Sequence, residues 1–293
     1  MTIDEHTAAP QLPATVSTRD GLALALTHWP APCPATSKGV ICLVHGLGEH
    51  AGRYQHVARH LNQCGWSVVG YDHRGHGRSP GPRGGLRRDD DLLHDLAAVI
   101  DLVRQHHPGQ RLGVLGHSMG GITVARFVSA LAQPKEDVAW RREVDLCMLS
   151  SPALDIGLSG LQRALLNSIG RFTPDVAVGN GLNPDWVSND PEVVKAYLAD
   201  PLVHDRITGR LTRFMLESGE VVHARAATWT VPTLLLYAGS DRCVRPQGSA
   251  RFAATAPAAV VQVQAYEHMA HEIFNEPDRA RVLADLQAWL ARQ

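Results

Sequence analysis

The sequence predicts an α/β fold, a mostly parallel sheet of eight strands flanked by helices and interrupted by a helical insertion. Three observations predict it. Short apolar runs bounded by Gly, Pro or Ser recur along the chain, as buried parallel strands do. Stretches of helical periodicity separate them. The rhythm then fails from about Ala153 to Trp229, where helical pieces broken by loops appear and no convincing strand does.

The first elements read as a hairpin. Asp20-Gly21 stands between Ala14–Thr18 and the alternating Leu22–Leu26, a pair suited to a type I′ turn. Residues 1–13 before it are expected to form a loose tail. Pro30, Pro32 and Pro34 make the following loop. Six runs supply the remaining strands: Val40–Val44, Trp66–Tyr71, Leu112–Leu115, Val144–Leu149, Thr233–Tyr237 and Val260–Val263. Leu92, Leu93, Leu96, Ile100 and Val103 form a helical stripe, with Asp89–Asp91 suited to its positive N-terminal end and Pro108-Gly109 ending it. Ile122–Leu131 and Arg279–Leu290 read as two further helices. Within the insertion, Leu158, Leu161, Leu165 and Ile169 form one stripe; Ile207, Leu211, Phe214, Met215, Val221 and Val222 form another. The expected organisation is therefore a core of 14–152 plus 231–293, with 153–230 as a cap.

Composition excludes several classes. Lys+Arg total 28 against 29 Asp+Glu, a net charge of -1 that carries no footprint for nucleic acid and no polybasic block for anionic membranes. Five scattered cysteines, an odd number without C-x-x-C spacing, read as reduced thiols. The acidic, proline-bearing N-terminus has no apolar signal-peptide region, and no run reaches the roughly 18 apolar residues of a spanning helix. A cytoplasmic protein is the expectation. An apolar outer face on Leu158–Ile169 would suit peripheral contact with lipid surfaces.

The chemistry is carried by G-x-S-x-G. Chance predicts about 0.1 matches in a chain of this composition; two occur, at Gly77–Gly81 and Gly116–Gly120. A nucleophile elbow needs a strand running into the serine, a helix leaving it, and a free N–H on the next residue. Ser79 is followed by Pro80, which has no N–H, and no strand directly precedes it. Ser118 follows an apolar strand and opens a helix at Met119, with Gly116 and Gly120 leaving room for a tight turn. Ser118 is the candidate nucleophile and Ser79 a turn residue.

A serine hydroxyl needs a base, and the base an orienting carboxylate, in the chain order Ser, acid, His. Asp241 stands just past the strand Thr233–Tyr237, with Asp155 as the alternative acid. His268 and His271 compete as base; spacing favours His271, just before the final helix. A second oxyanion donor is expected from the loop His45-Gly46-Leu47-Gly48, where the Leu47 N–H joins that of Met119. His45 itself reads as a loop-organising residue.

These blocks resemble a known family. His45–His50 with Gly52-Arg53-Tyr54, Tyr71–Ser79, Gly116–Gly121, Gly239-Ser240-Asp241 and His271-Glu272 are similar to the signature segments of the α/β-hydrolases, in their monoacylglycerol lipase and lysophospholipase branch. The resemblance covers about 40–121 and 232–276. It implies a serine hydrolase with Ser118, Asp241 and His271 as triad, Leu47 and Met119 as oxyanion donors, and a helical cap over an acyl pocket. It aligns His271, not His268, with the triad histidine. Serine peptidases share many of these blocks, so a peptidase or amidase is the runner-up, and a non-catalytic ligand-binding protein of this fold is the reading from outside enzymes.

The 16 histidines invite a metal test. Neither H-E-x-x-H nor H-x-H-x-D-H occurs, and His268–His271 has no evident third ligand. Gly75-His76-Gly77 has no glycine at position 80, and no P-loop exists. The expectation is hydrolysis of a single-chain lipid ester, most readily a monoacylglycerol, with neither cofactor nor metal.

Overall fold

The computed structural model describes residues 12–33, 36–133, 136–160, 166 and 172–293. One sheet of eight strands organises the chain: β1 (Thr15–Ser17), β2 (Ala23–Trp29), β3 (Gly39–Val44), β4 (Trp66–Tyr71), β5 (Leu112–His117), β6 (Leu146–Ser150), β9 (Thr233–Ala238) and β10 (Val261–Tyr266). Their spatial order is β1-β2-β4-β3-β5-β6-β9-β10. β1 and β2 are antiparallel additions at one edge; every pairing from β4 to β10 is parallel.

Period-two alternation divides the core between the two faces. Val40, Cys42 and Val44 of β3 join Val69, Tyr71, Leu112 and Val114 on one side. There they meet α2 (Asp91–His106), α3 (Ser118–Ser129) and the helix Gly209–Arg225. Ile41 and Leu43 join Val68, Leu115 and Leu234 on the other, against α1 (Gln55–Gln63) and the helix Arg279–Leu290. Central strands buried on both faces explain the unbroken apolar runs of the sequence.

Two local details differ from the sequence reading. The hairpin loop is not type I′, which needs two positive φ angles; only Gly21 has one, at 85°. The Gly21 N–H bonds Thr18 O at 3.0 Å and the Thr18 N–H bonds Leu22 O at 2.8 Å, a three-residue loop closed by a left-handed glycine. The Asp20 carboxylate accepts from the Thr18 hydroxyl at 2.6 Å within the turn and from the buried Arg74 guanidinium, which also holds Asp91 and Asp95 at 2.6–2.8 Å. Asp91 accepts the N–H groups of Arg87 and Arg88, so it closes the preceding loop as well as starting α2.

The second difference lies in the segment expected to be purely helical. β7 (Ala177–Gly179) and β8 (Arg206–Thr208) pair there as an antiparallel ribbon. Three-residue strands are too short for any periodic signal, and β7 is exposed throughout. The stripe from Leu211 to Val222 does pack inward, with Leu211, Phe214, Met215 and Val222 buried in the main core. Of the other stripe, Leu161, Leu165 and Ile169 lie outside the described residues, as do residues 1–11 of the expected tail. Among the described residues, no helix is long and apolar enough to cross a membrane. Cys42, Cys64, Cys147 and Cys243 form no disulfide.

Candidate active site

The C-terminal ends of the parallel strands lie side by side, Val44 beside Gly116 and His117 beside Ser150. Loops leaving this edge converge, as open α/β sheets require. β5 runs without a break into α3, and the junction residue Ser118 has φ +54°, a left-handed conformation costly for a serine. The flanking glycines are sterically required. A Cβ on Gly120 would lie 2.1 Å from Val44 O and 2.3 Å from His45 O, and one on Gly116 would lie 2.5 Å from Gly120 O. Met119 occupies the first turn of α3, where N–H groups have no intrahelical acceptor.

Asp241 follows β9 and His271 follows β10. The Nδ1 of His271 lies 2.6 Å from Oδ2 of Asp241, while Oδ1 accepts the N–H groups of Cys243 and Val244 at 2.8 and 3.0 Å. Burial disfavours the Asp241 anion, but the facing imidazole and these hydrogen bonds outweigh it and hold the carboxyl below its usual range. Burial likewise opposes charge on His271, and the Asp241 carboxylate reverses this, raising the imidazole above its ordinary value. His268 is exposed, and only its carbonyl is engaged, by Asn189. Asp155 accepts the Gly157 N–H and lies 4.0 Å from Arg245, away from either histidine. Ser118, His271 and Leu47 border one cavity of about 290 Å³.

The loop carrying Leu47 is held by contacts no spacing rule announces. His45 takes the His73 N–H on Nε2 at 2.9 Å, and its Nδ1 lies 2.8 Å from Gly46 O, the loop-organising part expected of it. Glu49 accepts from the Gly46 N–H, the Tyr54 hydroxyl and Arg53 at 2.6–2.7 Å. Arg53 also grips Glu272, the neighbour of His271, with two bonds of 2.6 and 2.7 Å. The segment 153–230 completes the frame. His204 donates its N–H to Gly48 O at 2.8 Å, Val187 O accepts from the Glu272 N–H at 2.8 Å, and Asp200 lies 2.9 Å from His50. Ser79 is buried in its turn, bonded to Asp72 O and the Ala25 N–H.

His117 lies against His271 with ring centroids 4.7 Å apart and bonds Ser150 at 3.0 Å. Burial, and then repulsion from His271, push it down to about 3, so it is neutral beside the candidate base.

A parallel sheet with a left-handed serine at a strand–helix junction and a buried Asp–His pair beside it defines an α/β-hydrolase. Comparison with known proteins is specific: residues 35–278 match the family described as serine aminopeptidase, S33, and the chain belongs to that family. It is 37% identical over 256 residues to a monoacylglycerol lipase of Mycolicibacterium smegmatis, covering 86% of this chain and 88% of that protein. A phospholipase of Bacillus subtilis is 28% identical, with 89% and 97% covered. The crystal structure of a Paleococcus ferrophilus monoacylglycerol lipase superposes with a TM-score of 0.80 at 32% identity, covering 91% of this chain and 98% of that one.

Proposed function

We propose that this chain is a carboxylic ester hydrolase that cleaves single-chain lipid esters, with monoacylglycerol as substrate, through an acyl-enzyme on Ser118. The observation that carries this reading is the His271–Asp241 pair at 2.6 Å on the cavity that Ser118 borders. Ser118 Oγ attacks the ester carbonyl carbon while His271 takes its proton. Asp241 holds the imidazole and stabilises its charged form. The Leu47 and Met119 N–H groups receive the developing oxyanion, each worth roughly 3 kcal/mol when lost. The proton then passes from His271 to the departing glycerol oxygen. A water molecule, deprotonated by His271, attacks the acyl-enzyme and releases the fatty acid.

Ester substrates fit better than the peptides that the family description suggests. An aminopeptidase needs a carboxylate free to meet the substrate ammonium, and each acidic residue bordering the cavity already has a partner. Glu49 and Glu272 share Arg53, Asp200 pairs with His50, and Asp205 lies 3.2 Å from Arg206. The segment 153–230 acts as a cap. Its apolar residues Phe172, Val178 and Leu198 are 86%, 53% and 64% exposed, and Leu198 borders the cavity. Exposed apolar side chains of this kind suit transient docking on an uncharged lipid surface, from which substrate enters.

The test is a parallel assay of monoacylglycerols of graded chain length against aminoacyl amides, with Ser118→Ala as control. Monoacylglycerol turnover that vanishes in Ser118→Ala, together with loss of fluorophosphonate labelling, is expected. Faster amide turnover, or esterase activity surviving in the variant, would overturn the reading.

A further inference from the structure

Cys243 stands two residues past Asp241, and its thiol has no part in the chemistry above. It is 9% exposed, borders the cavity, and brings a third kind of donor to the Asp241–His271 pair. One ligand atom from each of Asp241, Cys243 and His271 lies within 4.8 Å of the other two. Among the described residues this is the one His/Cys/Asp/Glu group close enough to hold a metal ion.

The geometry points to an inhibitory binding site for a thiophilic divalent cation, zinc above all, formed by Cys243, His271 and Asp241. Thiolate, imidazole and carboxylate are the donors that zinc takes, and hard cations such as magnesium do not take the first two. Donors around a tetrahedral zinc lie about 3.5 Å apart, so the facing Asp241 and His271 atoms, now 2.6 Å apart, have to part by about 1 Å while Cys243 closes in. Cys243 and His271 both border the cavity, which leaves the fourth position open to water. Binding displaces the thiol proton to solvent, and Cys243 coordinates as thiolate.

Inhibition follows from what the two His271 nitrogens do. Nδ1 faces Asp241 and Nε2 is the remaining site for the serine proton. Coordination through either one removes the base. This effect on turnover rests on the proposed triad, whereas cation binding does not.

The experiment uses ZnCl2 and CoCl2 on the intact chain. Zinc is expected to inhibit ester hydrolysis, reversibly on adding EDTA. With each variant normalised to its own zinc-free rate, Cys243→Ser and Cys243→Ala should weaken inhibition by more than about ten-fold, since even an outer-shell partner is worth about 10–100-fold. Cobalt should give wild type a near-ultraviolet thiolate charge-transfer band that both variants lack. Equal inhibition in wild type and variants, or no cobalt–thiolate band in wild type, would overturn the site. A cobalt band in a chain that hydrolyses no ester supports the site while sinking the proposed function, so the two failures are distinguishable.

Discussion

Arg53 holds Glu272 with two parallel hydrogen bonds of 2.6 and 2.7 Å, and Glu272 is the residue next to His271. The same guanidinium bonds Glu49 at 2.7 Å, on the loop that carries Leu47, and lies over the Tyr197 ring at 4.8 Å. One largely buried cation therefore joins the candidate oxyanion loop, the candidate base and the segment 153–230. Burial opposes its charge, and the two carboxylates more than compensate, so it stays protonated.

Removing that cation strands two buried carboxylates. Arg53→Ala is expected to cost about 3–5 kcal/mol of stability, the usual penalty for breaking a buried pair from one side. Urea unfolding reads the loss, and kcat should fall more than KM rises. Arg53→Lys restores charge but not the two-pronged grip on Glu272, so it should recover stability better than turnover. Wild-type stability and kcat in Arg53→Ala would remove the network from the account.

The pH profile reports on Asp241. His271 acts as a base only when neutral, and its value is raised above 6.5, so kcat/KM should fall as pH drops through a midpoint above 6.5. Asp241→Asn removes the charge that raises it. The acid limb should move to lower pH, while the rate falls by about 10⁴ through loss of the correct imidazole tautomer. An unshifted limb would show that another group titrates.

Buried histidines set the acid stability. Burial first, and then neighbouring histidines, lower His73 and His76, and burial lowers His45. His117 is pushed down to about 3. The unfolded chain binds these protons near pH 6.5 and the folded chain does not, so stability is intact above 6.5 and declines as pH falls below it. Each fully buried histidine contributes a slope of about 1.4 kcal/mol per pH unit. His271 acts in the opposite direction. Urea midpoints at pH 7.5 and 5 should differ clearly; equal midpoints would contradict this.

The proposed lipid docking rests on exposed apolar residues of segment 153–230. Phe172→Ser with Val178→Glu should lower the ratio of activity on emulsified long-chain monoacylglycerol to activity on a soluble short-chain ester. Sedimentation with neutral vesicles should fall in parallel. An unchanged ratio and unchanged sedimentation would dispose of the docking surface.

The sequence alone determined the sheet and the strand–helix turn at Ser118. Runs such as Val40–Val44 and Trp66–Tyr71 announce doubly buried strands because burial on both faces leaves no polar alternation to mask them. Pro80 excludes Ser79 from the elbow through the absence of an N–H. These are local signals, written within a few residues. Spacing already favoured His271 over His268; its contact with Asp241, the ribbon of β7 with β8, and the Glu49–Arg53–Glu272 clamp were decided by tertiary structure. Arg53 and Glu272 stand 219 positions apart. No periodicity records a contact at that distance; it exists because the parallel sheet puts the C-terminal ends of β3 and β10 on the same side, and two opposite charges taken out of water there are stable only when paired.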